Sequence, residues 1–381
     1  MKIALVGPSL TFKGGIAQYT SMLYRSLSEE HQVFFVSFKR QYPDWLYPGR
    51  GDRDLTHNEP KEDVGHQIID SLNPLTWQKA VSEICRFNPD MVIFPWWVMY
   101  WAPSFICMIH AIKWRLKSSQ IIFLCHNVVS HESSSLSRFL TRLTLRLGDG
   151  FIVQSAQDKL ELGSIRKRGR IVQVEHPRYQ VSELAQDSRE TAREKLGLKG
   201  DVILFFGFIR PYKGLNVLLE AMASVLAERK CTLVIAGEIW GDPRIYTQQI
   251  TRLGIDEQVK LRGEYIPQLS VATYFLASDL VVLPYLSATG SGVVKLAYSY
   301  HRPVVVSNVD SLPDSVVPGQ TGYIVPAGDA SALANSILSY LGGADRTTME
   351  KTIAQHVLQF GWAQVVEAVE TLGVPPRENI A

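Results

Sequence analysis

Four short stretches combine residue types that can handle charge or protons. The first is Gly7-Pro8-Ser9-Leu10-Thr11-Phe12-Lys13-Gly14-Gly15. Paired glycines let a backbone approach a ligand closely, and a helix starting near Ile16 would turn its free amides toward an anion. The spacing fits neither G-x-G-x-x-G nor the P-loop, so a plain turn is an equal reading. The second stretch is Cys125-His126-Asn127, followed by Val-Val-Ser and then His131-Glu132. A histidine and an amide at a strand end can contact hydroxyls or move a proton, and a histidine bonded to a neighbouring loop is the plainer alternative. His126 and His131 lack the H-E-x-x-H order, so a zincin pattern fails.

The third stretch, Phe205-Phe206-Gly207-Phe208-Ile209-Arg210-Pro211-Tyr212-Lys213-Gly214-Leu215, sets two cations between two glycines at a helix start. Charge, free amides and helix dipole together favour a phosphate there, against the alternative of solvated surface cations. The fourth, Pro284-Tyr285-Leu286-Ser287-Ala288-Thr289-Gly290-Ser291-Gly292-Val293-Val294-Lys295, joins another strand to another helix. Its small, hydroxyl-bearing residues can present several amides to an anion, with Lys295 one helical turn after Ser291. Two anion-prone helix starts in one domain suggest a diphosphate, while a plain N-capped helix is the simpler account of the second.

These stretches sit in a repeating rhythm of a short β-branched run, a turn and an amphipathic helical pattern. Strands are expected at Ile3–Val6, Val33–Ser37, Met91–Phe94, Ile121–Cys125, Phe151–Gln154 and Ile171–Val174. A second set is expected at Val202–Phe206, Thr232–Ala236, Val259–Arg262, Leu280–Leu283, Val304–Ser307 and Tyr323–Val325. Apolar runs of this length suit strands covered on both faces by helices, which predicts two doubly wound parallel α/β domains. The rhythm breaks between His176 and Asp201, around Pro177 and one short helical stretch, Arg189–Leu196. Residues Lys39 to Gly65 read as a long polar loop, and the pattern after Leu333 is helical to about Leu372.

Composition removes several function classes. A length of 381 residues with 46% hydrophobic and 20% charged residues is ordinary for a globular protein of two domains. The net charge of +2 offers no global field for nucleic acid. Residues 1–180 nevertheless hold 22 basic and 16 acidic side chains, a net of +6 against −4 for the remainder. Cys85, Cys107, Cys125 and Cys231 form no close pair and no metal-ligand spacing, which suits reduced thiols in a cytosolic protein. The N-terminus reads as a first strand, not a signal peptide, and Pro95, Pro103 and His110 interrupt the one long apolar segment, Met91–Ile112.

Over nearly its full length the sequence resembles the family 4 glycosyltransferases, retaining enzymes of the GT-B fold. FGFIRPYKGLNVLLEA looks like that family's strand, cationic loop and helix. VIAGE, LRGEYIP, ASDLVVLPY and SGVVKLAYSYHRPVVVSNVDSLPDSVVPGQTGYIVPAGD follow in the family's order. The Gly14-Gly15 loop and HNVVSHE are similar to its acceptor-side motifs, and Phe360-Gly361-Trp362 to the turn before its last helix. The resemblance implies two Rossmann-like domains facing across a cleft: an acceptor-side domain over residues 1–180, with a crossing helix at about 360–381, and a nucleotide-sugar domain over residues 181–359. It implies that Arg210 and Lys213 neutralise the donor diphosphate and that Ser291, Gly292 and Val293 offer amides to its distal phosphate, with Ser287 and Lys295 also on the donor side and Lys295 able to reach phosphate. Gly237 and Glu238 would border the sugar and nucleotide, Tyr265 and Ile266 would hold the base, and Gly14 and Gly15 would let the first domain approach. His126 would contact the transferred sugar, with Asn127, His131 and Glu132 on the acceptor side.

Two departures stand out. The family's Glu, seven residues, Glu pattern falls here on Ala288 and Leu296, neither of which can accept hydroxyl protons as a carboxylate does. The Arg that usually follows the loop's first Gly is replaced by Phe208, so Arg210 lies two residues on.

The implied chemistry is retaining transfer of a sugar from a UDP- or GDP-sugar to a glycan or lipid-linked glycan, in polysaccharide or glycolipid assembly. Cations and amides would serve in place of a metal, and no cofactor is implied. Asp52-Arg53-Asp54 spells a D-x-D but lies in a polar loop. Trp96, Trp97, Trp101 and Trp114, with Lys113, Arg115, Lys117 and the helically spaced Arg138, Arg142 and Arg146, suit sugar stacking or an anionic membrane surface, or are core aromatics beside a solvated face. The expected setting is cytoplasmic, peripheral at the inner face of the membrane, with no nucleic acid partner. A sugar-nucleotide epimerase or phosphorylase of the same fold is the enzymatic alternative, and a decayed partner-binding paralogue the non-enzymatic one.

Overall fold

The computed structural model describes residues 1–54, 65–128, 134–166, 169–179, 187–288, 291–343 and 346–374. The chain divides into two compact units, Met1–Pro177 with Gly361–Ala381, and Arg178–Phe360. Each is built on one parallel sheet, as the alternation of apolar runs and helical patterns predicts.

In the first unit β1 (Lys2–Val6), β2 (Gln32–Arg40), β3 (His66–Asp70), β4 (Met91–Trp96), β5 (Gln120–Cys125), β6 (Gly150–Val153) and β7 (Arg170–Gln173) pair in the order β3-β2-β1-β4-β5-β6-β7. Between them run α1 (Gly15–Ser28), α2 (Pro74–Phe87), α3 (Ala102–Arg115), α4 (Ser135–Leu145) and α5 (Ala156–Ile165). The strand order reverses between β1 and β4, and in open α/β sheets ligands gather beyond the strand ends at such a reversal. Two of the four candidate stretches, those after β1 and β5, leave this sheet at its carboxyl edge. β3 lies outside the predicted set. Its five residues hold only two aliphatic side chains, and it exists as an edge strand on β2 through a register that slips between Ser37 and Arg40.

The second unit runs α6 (Arg189–Leu196), β8 (Asp201–Phe206), α7 (Leu215–Glu228), β9 (Cys231–Ala236), α8 (Arg244–Leu253), β10 (Val259–Arg262), α9 (Gln268–Ala277), β11 (Leu280–Leu283), α10 (Gly292–Ser299), β12 (Val304–Ser307), β13 (Gly322–Val325), α11 (Ala330–Gly342) and α12 (Arg346–His356). Its sheet order is β10-β9-β8-β11-β12-β13, reversing between β8 and β11. The final helix, α13 (Trp362–Gly373), belongs to the first unit and packs on α1.

The two cores differ in chemistry. The first is aromatic, with Phe38, Phe94, Trp96, Trp101, Phe105 and Phe123 buried together. The second is aliphatic, around Leu218, Met222, Leu233, Ile235, Val282 and Val305. Full burial of such side chains is worth about 1.5–3 kcal/mol each, which is what fixes the helices on the sheets. Trp96 and Trp101 are only 1% exposed, so the expectation of a tryptophan surface for sugar stacking fails for both. Trp101 instead stacks with Phe105 at 5.9 Å, and Trp97 donates its Nε1–H to the Tyr42 hydroxyl at 3.0 Å.

Candidate functional site

In the second unit the loops leaving β8, β9 and β10 continue the sheet's pairing beyond its regular strands. Gly207 N–H donates to Ala236 O, Ile209 N–H to Glu238 O, and Gly237 N–H to Arg262 O. Gly237 has φ 152°, and a Cβ there would lie 2.1 Å from the Gly207 carbonyl oxygen, so these two loops touch backbone to backbone. This close approach is why Gly237 must be glycine, while Gly207 is favoured by its own φ of 100°. The loop after β8 then turns through Pro211-Tyr212-Lys213 to Gly214, which has φ 67°. A Cβ on Gly214 would meet the Pro284 carbonyl oxygen at 1.9 Å, and Leu286 N–H donates to Tyr212 O at 2.7 Å. The Arg/Lys loop is thereby locked onto the loop after β11, at the reversal of strand order.

That lock places Lys213. Its ammonium lies 3.1 Å from where a Gly207 Cβ would stand, and the same point is 3.8 Å from Val293 Cγ2 at the start of α10. The side chain also passes over the Tyr285 ring at 5.5 Å. Lys213 is 8% exposed, and no described carboxylate pairs with it. Burial pushes the ammonium down to about 8, and the neighbouring Arg210 charge adds to the shift. Arg210 itself is sandwiched, its guanidinium 5.1 Å from the Tyr212 ring and 5.3 Å from Trp240. Phe208, in the place of the expected Arg, packs against Trp240 at 4.8 Å and stacks with Tyr265 at 6.2 Å. Ile266 is buried beside this aromatic group's last member in sequence, and Glu238 is buried as well.

Trp240, and Tyr285 as the ring beneath Lys213, are additions to the expected site residues. The parallel bridge Ile209↔Ile239 sets Trp240 against the β8 loop, and only its place four residues after a strand end could have signalled it.

The start of α10 differs in detail from expectation. Ser291 is its N-cap, and its Oγ accepts from the Val293 N–H at 3.2 Å, so that amide faces a hydroxyl within the chain. Ser287 is half-buried on the same loop, whereas Thr289 and Gly290 lie outside the described residues. Lys295 is buried with its Nζ 3.4 Å from the Phe360 ring centre, over an aromatic face. Ala288 and Leu296, where the family pattern has acids, are both buried. A carboxylate does reach Ala288 from another strand end. Asp310, left-handed at φ 45° after β12, accepts the Ala288 N–H on Oδ2 at 3.2 Å.

In the first unit Gly14 (φ 102°) is the N-cap of α1 and makes no side-chain cap hydrogen bond, and Gly15 is the helix's first residue. The preceding loop is held by Lys13 N–H to Asp52 O, by Asp54 N–H to Thr11 O, and by the bridge Phe12↔Arg53. Asp52 accepts the Tyr42 N–H at 3.1 Å, Arg53 lies over the Phe12 ring and Asp54 is buried. The D-x-D triplet thus braces the glycine loop, and among the described residues no three His, Cys, Asp or Glu side chains gather as metal ligands.

His126 donates its N–H to Trp96 O at 2.8 Å, and its ring meets the edge of Tyr19 on α1 at 4.7 Å. Tyr19 packs on His176 and Trp362 as well. Burial and the adjacent His176 hold His126 down at about 3, so the imidazole is neutral at physiological pH, with Gln154 beside it. Its Nε2 is shielded and makes no well-aligned hydrogen bond to a described residue. A neutral imidazole can accept from or donate to a sugar hydroxyl without carrying charge. Asn127 uses its Nδ2–H on Trp97 O at 3.0 Å, which ties the β4 and β5 loops together. His131 and Glu132 lie outside the described residues.

Residues 200–342, which contain the Arg/Lys loop and both glycine contacts, match the family described as glycosyl transferases group 1. A D-inositol 3-phosphate glycosyltransferase of Catenulispora acidiphila is 30% identical over 235 residues, 58% of this chain and 55% of the relative. The chain spans about half the length of the curated relatives it matches. Among solved structures, a glycosyltransferase from Rickettsia africae superposes with a TM-score of 0.74 at 18% identity, covering 98% of this chain and 97% of that one. Anabaena HepE in complex with UDP gives 0.72 at 19% identity, covering 98% and 99%. The two parallel-sheet units share the GT-B fold of these solved structures, and the segment of the second unit that carries the cationic loop at the sheet reversal, residues 200–342, is similar to the group 1 glycosyl transferases.

Proposed function

We propose that the chain is a retaining glycosyltransferase that takes a sugar from a UDP- or GDP-sugar and passes it to a glycan or lipid-linked glycan, in polysaccharide or glycolipid assembly. The observation that carries this reading is Lys213. An ammonium 8% exposed, next to a second cation and facing no described carboxylate, is costly unless an anion arrives to neutralise it. The neighbouring Arg210 and the glycine-lined backbone suit that anion to be a diphosphate. Binding of UDP and UDP-glucose by Anabaena HepE, a protein of the same fold, supports the donor class.

In the reaction the bond between the sugar's anomeric carbon and the diphosphate oxygen breaks, and the acceptor oxygen attacks the same face. The acceptor's proton passes to the departing phosphate oxygen. Arg210 and Lys213 stabilise the negative charge that grows on the diphosphate, the task a metal performs elsewhere. Neutral His126 contacts a hydroxyl of the transferred sugar. Gly237 and Glu238 border that sugar, and the Phe208, Trp240 and Tyr265 rings flank the base with Ile266. Asn127, His131 and Glu132 belong to the acceptor side, and the enzyme works peripherally at the inner face of a membrane.

The test is a thermal shift against nucleoside diphosphates. At 100 times its dissociation constant the correct nucleotide stabilises by about 2.7 kcal/mol, a few degrees for a protein of this size. Lys213→Ala should abolish the shift, and transfer should survive EDTA. Ala288 and Leu296, both buried and apolar, favour a second reading as a partner-binding paralogue without activity. A protein that no nucleoside diphosphate stabilises would support that one.

A further inference from the structure

Helix α4 is built inside out. Its inward face buries Thr141, Thr144 and Leu145, and Thr144 must return its hydroxyl to Leu140 O at 2.9 Å. Its outward face leaves Leu136, Phe139 and Leu143 in solvent, exposed by 60%, 61% and 42%. A helix on a globular body normally does the reverse, because each buried apolar side chain adds stability and each buried hydroxyl needs a partner. The three apolar residues follow one another at i, i+3 and i+7, so they form a single ridge.

Beside that ridge runs a second one, of Arg138, Arg142 and Arg146 at i, i+4 and i+8, all exposed. No ion pair joins any of the three to a described residue, and Ser134 to Arg146 contains no acid. The Ser134 hydroxyl caps the helix by accepting the Ser137 N–H at 3.2 Å, so the two ridges are displayed on a formed helix. A solvated charged face explains the arginines alone. It leaves Phe139 and two leucines facing water beside them with no partner.

From this we propose that α4 is a docking surface for an anionic lipid bilayer: the arginine ridge meets the phosphate headgroups while Leu136, Phe139 and Leu143 enter the acyl boundary. Charge complementarity selects the occupant, since three exposed cations with no described ion-pair partner and no acid on their own helix suit a surface of dense negative charge, and the adjacent apolar ridge suits the layer just beneath it. The use of this contact rests on the proposed lipid-linked acceptor, but the binding is separate from transfer and is measured separately.

The test is co-flotation of the full chain with vesicles of phosphatidylglycerol and phosphatidylcholine, against vesicles of phosphatidylcholine alone. The protein should float with the anionic vesicles at low salt, and should not float with the neutral ones or in high salt. Replacing all three arginines by Gln should weaken binding on the order of 100-fold. L136S/F139S/L143S should lose flotation also, and both variants should keep the parent's thermal transition because every altered side chain is exposed. Wild-type protein that stays unbound on anionic vesicles overturns the proposal, as do variants that float like the parent. Transfer to a water-soluble acceptor is assayed in parallel. Flotation without such transfer counts against the glycosyltransferase reading only, and transfer without flotation against the docking surface only.

Discussion

A lysine held out of water beside an arginine is a stored electrostatic cost, and it makes Lys213 the residue with the clearest consequences. Its value near 8 lies below the ordinary 10.5, so folding disfavours the charged form. The sign follows from proton counting: between about pH 8 and 10.5 the unfolded chain binds the extra proton, so the penalty is full below pH 8 and fades as pH rises through that window. If Lys213 holds the donor diphosphate as proposed, donor affinity moves the other way, because the diphosphate needs the protonated amine. Isothermal titration should therefore show nucleotide affinity falling above pH 8, with proton uptake on binding. Lys213→Met should raise the free protein's Tm by several degrees while removing the nucleotide effect, since an apolar isostere relieves a buried charge. A Met variant less stable than the parent, or one still stabilised by nucleotide, would contradict this role. The residue types of this site were readable in sequence: two cations between glycines after a strand. Their burial was not, because it depends on Tyr285 and Val293, more than 70 positions away.

At the scale of elements, the site is made of loops that lock to one another where the sheet order reverses. Gly214 is the tightest such point, with φ 67° and only 1.9 Å between a hypothetical Cβ and Pro284 O. Gly254 has the same φ of 67° but nothing within 4 Å. Gly254→Ala should thus cost about 1 kcal/mol, the left-handed penalty alone. Gly214→Ala should cost several times more and abolish nucleotide binding, as the Arg/Lys loop parts from the β11 loop. Thermal melts of the two variants with and without nucleotide check this, and equal losses would refute the lock. Strands with four or five consecutive apolar residues were legible because burial on both faces leaves no other pattern. β3 was not, since an edge strand buries less and needs β2 to exist. The capping of Val293 and the capture of Lys295 by Phe360 were also hidden, one because an N-cap hydroxyl and an anion compete for the same amide, the other because its partner is 65 residues distant.

For the molecule as a whole, two separate cores mean two units that can each hold their own sheet. Residues Arg178–Phe360 expressed alone should fold and show the nucleotide shift, lost with Lys213→Ala; a fragment that fails to melt cooperatively would show that the unit depends on the rest. The charge split of +6 and −4 takes on a local meaning too, since part of the first unit's excess stands as an exposed ridge on α4 with no ion pair to any described residue. Local sequence determined what local physics can encode: the apolar period that makes parallel strands, the glycines that permit positive φ, and the cations placed after strand ends. It left open which side chains face inward, because that depends on neighbours remote in the chain. Trp96 and Trp101 became core, Phe139 became surface, and Asp310 came beside Ala288 from a different strand end, each settled by packing between elements and not by the residue's own polarity.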